Sequence, residues 1–247
     1  MRPLSKVGRH ISKKIGIAIH DYRLIRDGDR ILIGVSGGKD SLTLAYLLNE
    51  IKKWAPVDYS LLAVNVEDDY TPKQQKETNR RRLKEFFEEL KIPFRVEKIR
   101  IADTKRDRSC FWCSWNRRKA LFLAADRLGF NRIALAHTKD DIIETLMLNM
   151  LYHGEFSAMN PLQKLFKGKI VIIRPLCYVE ENLTRRFARE QRFPVQAYTC
   201  PRAEISKRRM VKRFIRSARR ECSYVKDNIF RSMFRVKRAY IDIKRGK

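Results

Sequence analysis

The stretch "ILIGVSGGKDSLTL", residues 31 to 44, decides how the chain is read. An apolar run enters a turn made of Ser36, Gly37, Gly38, Lys39, Asp40 and Ser41, and an apolar helical pattern leaves it. Two adjacent glycines bring bare backbone close to something. The helix start beyond them offers N–H groups and a positive dipole end to an anion. Lys39 adds a point charge, and Ser36 and Ser41 add hydroxyls. The turn is not a Walker loop, because Ile33 stands where that loop has its first glycine and Lys39 is followed by Asp40.

Working outward, residues 5 to 25 carry apolar positions at helical spacing (Val7, Ile11, Ile15, Ala18, Ile19, Tyr22) and read as a basic amphipathic leading helix. A strand at 30 to 35 precedes the glycine turn, and a helix of about 40 to 54 follows it. "YSLLAVNV" is apolar throughout, as expected of a strand covered on both faces. A charged helix over 74 to 91 buries Leu83, Phe86, Phe87 and Leu90, and "PFRVEKI" is a third strand. Then come a helix at 114 to 129, the strand "RIALA", a helix at 139 to 153, the strand "KIVIIRPL" and a short helix at 180 to 191. Strands alternating with helices of this length predict an α/β fold, doubly wound around a mainly parallel five-stranded sheet. In such sheets ligands bind beyond the carboxyl ends of the strands, where the glycine turn lies. The expected organisation is a leading helix over 1–28, a nucleotide domain over 29–200 and a basic helical segment over 201–247.

Charge sets the partner class. Of 247 residues 34% are charged, with 55 Lys+Arg against 28 Asp+Glu, a net +27. So large a basic excess implies a polyanion, and nucleic acid comes first because phosphate neutralisation supplies most non-specific affinity. From Arg202 onward stand 17 Lys+Arg against 4 Asp+Glu, a local +13. Val211, Phe214, Ile215 and Ala218 keep an apolar stripe there, which reads as a docked basic helix. Tyr224, Phe230, Phe234 and Tyr240 interleave the charges and are candidates for stacking on bases. No apolar run approaches ~18 residues, and neither a lipidation motif nor a signal-type apolar region is present. A cytosolic protein with no membrane association is expected.

Two further motifs carry chemistry. In "LAHTKDDIIETLMLN", His137 ends the fourth strand, and Asp140, Asp141 and Glu144 occupy the first turns of the next helix, with Asp140 and Glu144 on one face. Carboxylates so placed suit magnesium binding or activation of an attacking group. Cys110 and Cys113 form a Cys-x-x-Cys pair, and Cys200 stands 87 positions after Cys113 in "AYTCPRAE". By itself the pair fits a redox dithiol or half a zinc site. Three thiolates would leave one position open on zinc or on an iron–sulfur cluster. Cys177, in a strand-exit segment, is expected to be buried, and Cys222 incidental.

"GVSGGKDSL" resembles the pyrophosphate-binding loop of the N-type ATP pyrophosphatases, which cleave ATP between its α and β phosphates and so adenylate a substrate. "HTKDDIIET" is similar to that family's His-x-x-Asp-Asp-x-x-Glu-Thr segment. The resemblance implies an adenine nucleotide alpha-hydrolase-like fold. It implies ATP with Mg2+ on Ser36, Gly37, Gly38, Lys39, Asp40 and Ser41, and on Ala136, His137, Asp140 and Asp141. Adenine would meet the backbone of Val64, Asn65 and Val66. Lys39 and Asp141 would be catalytic, Lys39 stabilising the transferring phosphate charge and Asp141 positioning or deprotonating.

Over about residues 20 to 215 the chain is similar to the tRNA-thiolating branch of these enzymes, the 2-thiocytidine synthetases. It shares the cysteine pair, the stretch "NMLYHGEFSAM…IIRPLCYVEE" and a third cysteine. This implies a [4Fe–4S] cluster on Cys110, Cys113 and Cys200 whose open iron carries sulfide, with Arg117 as a basic helper one turn after Cys113. It further implies ATP-dependent 2-thiolation of a pyrimidine in tRNA, cytidine first. The partners would be tRNA and a sulfur donor (a cysteine desulfurase or free sulfide), and the family expectation is a homodimer. The chain departs from the pattern in having one cysteine, not two, in "YTC". It lacks the flanking zinc modules of the enzymes that thiolate uridine in the TΨC loop. Its cysteines are absent from lysidine synthetases. The alternatives are a lysidine-type or 2-thiouridine enzyme, or a zinc-bound, non-thiolating nucleic-acid-binding relative.

Overall fold

A computed structural model describes residues 4–100, 110–196 and 207–237, with the side chains of Cys110 and Phe111 left out. Cys200, Tyr240 and the end of the basic tail lie outside the described residues. The chain divides into two units, Met1–Thr138 with Asn160–Thr199, and Lys139–Met159 with Cys200–Lys247.

The first unit is built on a six-stranded sheet of β1 (Asp29–Val35), β2 (Tyr59–Glu67), β3 (Phe94–Lys98), β4 (Arg132–Ala134), β5 (Leu162–Leu165) and β6 (Ile170–Ile173). The spatial order is β3-β2-β1-β4-β6-β5. All neighbours are parallel except β5 and β6. Here the structure corrects the expected five strands. "LQKL" is half polar and only partly covered, so it carries little periodic signal. It becomes a strand by hairpin pairing with β6, Leu162 opposite Ile173 and Leu165 opposite Ile170.

The helices of this unit are α1 (Lys6–Tyr22), α2 (Lys39–Ile51), α3 (Lys73–Glu89), α4 (Cys110–Leu128) and α6 (Glu181–Glu190). In α1 the Ser5 hydroxyl caps the first turn by accepting from the Gly8 N–H at 3.1 Å. Ile11, Ile15 and Ala18 form its fully buried stripe. A Cβ on Gly8 would lie 2.5 Å from the Phe187 ring, so glycine lets α1 approach that ring closely. Phe187 packs edge-on against Tyr46 at 5.5 Å. Leu121, Ala124 and Ala125 of α4 pack with Leu32, Leu62, Val64, Ile133 and Ile172 of the sheet. Each of the Leu, Val and Ile side chains there contributes roughly 1.5–3 kcal/mol by burial.

The strand order reverses between β1 and β4, where Ile33 lies beside Ala134. The chain leaving β1 goes on to β2 on one side and the chain leaving β4 goes on to β5 and β6 on the other, which opens a crevice at the carboxyl edge. Ser36–Gly38 leaves β1 at that edge, and Leu135–Thr138 leaves β4 there too.

The second unit contains α5 (Lys139–His153), α7 (Lys207–Glu221) and α8 (Val225–Ser232). Val211 and Ile215 of α7 and Phe230 of α8 are buried. The expected α7 stripe is narrower than the sequence pattern, because Phe214 is 55% exposed. Of the candidate stacking aromatics, Tyr224 and Phe234 are exposed, whereas Phe230 is buried beneath the Lys139 ammonium.

Candidate active site

The glycine turn is held open by its own hydrogen bonds. Gly37 adopts φ +76°, in the left-handed region. The Ser36 hydroxyl accepts from the Gly38 N–H at 3.2 Å and lies 3.2 Å from the Ser41 hydroxyl, which donates to the Gly38 carbonyl at 2.9 Å. Gly38 is the N-cap of α2 and offers no side chain to the first-turn N–H groups. Those donors therefore face an incoming anion. Lys39 Nζ bridges Asp40 at 2.8 Å and Glu181 at 2.9 Å. Burial works against its charge, but the two carboxylates outweigh it and hold the ammonium above the ordinary lysine value. Thr184 donates to the second oxygen of Asp40.

Three residues brace this edge through contacts the sequence does not reveal, and only Asn65 among them is singled out by it. Asn65, expected at the adenine only through its backbone, donates its side-chain amide to the last β1 carbonyl, Val35 O, at 2.6 Å. Val64 and Val66 lie inside β2, in register with β3. Gln196 donates its backbone N–H to Gly37 O at 3.0 Å and lays its side-chain amide over Gly37. Arg174, 4% exposed, donates from Nε to His137 Nδ1 at 3.2 Å and also bonds Asn160 O and Gln163. Arginine can only donate, so His137 carries its proton on Nε2. Burial, with Arg118 nearby, lowers Arg174 to about 10. Ala136 stands in the same segment leaving β4.

The acidic residues of α5 belong to the second unit, and there they are ion-paired. Asp140 bonds Lys226, and Lys139 bonds Asp227. Arg208 Nη1 lies 3.4 Å from both Asp141 and Glu144, and Lys212 Nζ is 3.5 Å from Glu144. Burial raises Glu144 to about 7, with Lys212 and Arg208 opposing. Helices α7 and α8 thus supply the counter-ions of the α5 carboxylates.

Cys110 and Cys113 occupy the first turn of α4. At Cys113 the thiol lies 3.3 Å from the Tyr70 hydroxyl. Arg117 Nη2 donates to Asp68 Oδ2 at 2.7 Å and to the Tyr70 oxygen at 3.4 Å, while its Nε–H is buried without a partner among the described residues. Although burial opposes its charge, Thr71 and Arg117 hold the Asp68 carboxyl below the usual range. Asp68 and Tyr70 follow the carboxyl end of β2, which neighbours β1, so this cluster and the glycine turn share one edge of the sheet. A cysteine whose sulfur meets the Tyr70 hydroxyl, beside an arginine with a donor to spare, fits a ligand of a soft metal centre. Cys200, the expected third ligand, lies outside the described residues. Cys177 is fully buried, and that burial pushes its thiol up to about 12, as befits a packing residue. Cys222, immediately after α7, is a free thiol.

Sheet order, glycine turn and helix start together have the form of an anion-binding α/β site, and the PP-loop domain model matches residues 7–216. The chain is 37% identical to the tRNA-cytidine(32) 2-sulfurtransferase of Geobacter sulfurreducens over 94% of its own length and 92% of the relative's. It is 35% identical to the protein of the same name from Polynucleobacter asymbioticus, over 94% of this chain and 78% of that one. The chain belongs to the PP-loop domain family, in the branch of these tRNA-cytidine(32) 2-sulfurtransferases. Among solved structures, the U34-tRNA thiolase NcsA from Methanococcus maripaludis with its [4Fe–4S] cluster shares the fold. It aligns with TM-score 0.75 and 22% identity, over 96% of this chain and 80% of that one.

Proposed function

We propose that the protein is an ATP-dependent tRNA sulfurtransferase that replaces the C2 oxygen of a cytidine in tRNA by sulfur. The observation that carries this reading is a cysteine pair opening α4 on the sheet edge that also bears the glycine turn, in a chain 37% identical to a tRNA-cytidine(32) 2-sulfurtransferase.

The first step activates the base. The first-turn N–H groups of α2 and the Ser36 and Ser41 hydroxyls hold the ATP phosphates. Lys39 moves from its carboxylates onto the charge that develops as pyrophosphate departs. Asp141 positions the base or takes its proton. Asp140 and Asp141 are the carboxylates assigned to Mg2+, which would neutralise the triphosphate. His137, with its Nε2–H, is assigned to the nucleotide, whose adenine meets the backbone of Val64–Val66. Attack of the C2 oxygen on the α-phosphorus breaks the α–β bond and leaves an adenylated base. Oxygen that was a poor leaving group now departs as part of AMP.

The second step exchanges the atoms. Cys110, Cys113 and Cys200 are the ligands assigned to a [4Fe–4S] cluster, which when bound would supply an open iron for sulfur at the sulfide level. Hydrosulfide adds at C2, AMP leaves with the original oxygen, and the proton passes to solvent. No redox change occurs in that exchange. Arg117 steadies the incoming anion. The exposed basic face of α7 takes the RNA backbone, and a loop nucleotide is the target because its base can leave the stack. The sulfur donor is a desulfurase or free sulfide, the compartment the cytoplasm and the assembly a homodimer. No helix among the described residues is long and apolar enough to cross a membrane.

Mass spectrometry of tRNA nucleosides from cells lacking the protein tests this reading. Loss of 2-thiocytidine alone is expected. Intact 2-thiocytidine with a missing 2-thiouridine or lysidine would overturn it.

A further inference from the structure

Tyr70 stands at the centre of a hydrogen-bond chain that no step above uses. Its hydroxyl lies 3.3 Å from Cys113 Sγ and 3.4 Å from Arg117 Nη2, and the same Nη2 is fixed by Asp68 at 2.7 Å. The direction of this chain follows from the groups. A guanidinium has only donors, so the Tyr70 oxygen accepts from Arg117; its one proton has the Cys113 sulfur and the Asp68 carboxylate in reach, and a metal-bound thiolate, having no proton, can only accept it. Asp68 is 4% exposed and accepts the Thr71 N–H at 2.8 Å, so the anchor is held in the turn that carries Tyr70. The residues come from two separate elements, the exit of β2 and the first turns of α4. A surface tyrosine would not need this bracing, since Tyr70 is 37% exposed and has water available.

We propose that Tyr70 is a positioning residue of the cysteine centre. Held by Arg117 and Asp68, it donates a hydrogen bond to the Cys113 sulfur and withdraws charge from that one ligand. This rests on the reading of the cysteines as ligands of an iron–sulfur cluster. A thiolate that accepts a hydrogen bond is a poorer electron donor, so its metal is reduced more easily. Removing the donor shifts the centre toward a more negative potential.

The test uses protein reconstituted anaerobically with iron and sulfide, as wild type, Tyr70→Phe and Arg117→Lys. Iron content, the visible spectrum and the midpoint of an EPR-monitored redox titration are measured. Tyr70→Phe is expected to keep its iron and its ATP affinity while its midpoint becomes more negative. Arg117→Lys, which keeps the charge but loses the fork, is expected to move the same way by less. An unchanged midpoint in Tyr70→Phe at equal iron content overturns the proposal. Should the wild type take up no iron, the iron–sulfur reading fails by itself, and the cobalt(II)-loaded protein then decides on Tyr70. A red-shifted sulfur-to-cobalt band in Tyr70→Phe supports the hydrogen bond, and an unmoved band overturns it.

Discussion

Replacing Gly37 by alanine isolates what the glycine turn contributes. At φ +76° an L-residue pays for the clash of its Cβ with the backbone, roughly 1–2 kcal/mol. A Cβ there would also lie 2.1 Å from Gln196 Cδ and 2.3 Å from its Nε2. Those atoms end a flexible side chain that can swing aside, so the backbone term dominates. For a domain of about 150–250 residues, each 1 kcal/mol lowers Tm by roughly 2–4 °C, giving a fall of about 2–8 °C for Gly37→Ala. The assay is thermal unfolding with and without ATP, because a ligand of the folded state alone raises Tm by mass action. The ATP-induced rise should shrink in the variant, since the same strain disturbs the first N–H groups of α2. The double variant Gly37→Ala, Gln196→Ala separates the causes. If it regains the full wild-type Tm, side-chain crowding and not backbone strain was responsible, and the reasoning fails. An unchanged Tm with an undiminished ATP response would refute it equally.

Other expectations follow from the same geometry. Lys39→Met should cut tRNA-dependent pyrophosphate release by about 100- to 1,000-fold, the effect of losing one preorganised charge at the transition state, and leave tRNA affinity intact in a filter-binding assay. Glu144 titrates near 4.5 when unfolded and at about 7 when folded. The folded state therefore holds the extra proton between those values, and stability falls as pH rises through that window. Tm measured from pH 4.5 to 7.5 should decline over it, and Glu144→Gln should flatten the decline. Arg213, Arg216 and Arg220 are exposed on one face of α7. Changing all three to alanine should make the salt dependence of tRNA binding shallower by about 2–3 in log–log slope, and an unaltered slope would place the RNA elsewhere.

Elements dictated by their own periodicity were legible in the chain. The apolar runs of β1 and β2 and the stripe of Ile11, Ile15 and Ala18 needed no partner to be read, and of the expected α3 stripe Leu83, Phe87 and Leu90 are buried while Phe86 is half-buried. β5 escaped because its four residues are half polar and become a strand only by pairing with β6. Phe214 fits the helical stripe in sequence yet faces outward, because the buried strip of α7 is only Val211 and Ile215 wide. The glycine turn could be read as a phosphate site from six consecutive residues. Its braces could not, since Arg174 reaches His137 across 37 positions, and neither could the cysteine cluster, where Tyr70 reaches Cys113 across 43. The α5 carboxylates look open in sequence, but their counter-ions arrive from 64 to 86 positions further along. Spacing reports what one element does, and such pairings are made only by folding.

The central claim is that the cysteine centre delivers sulfur to an ATP-activated cytidine. Incubating purified protein with undermodified tRNA, ATP and isotopically labelled sulfide, and counting label in 2-thiocytidine against AMP formed, tests it directly. The account predicts one labelled 2-thiocytidine per AMP in the wild type, and adenylation without label in Cys113→Ser. Labelled 2-thiocytidine at the wild-type level from Cys113→Ser would contradict it.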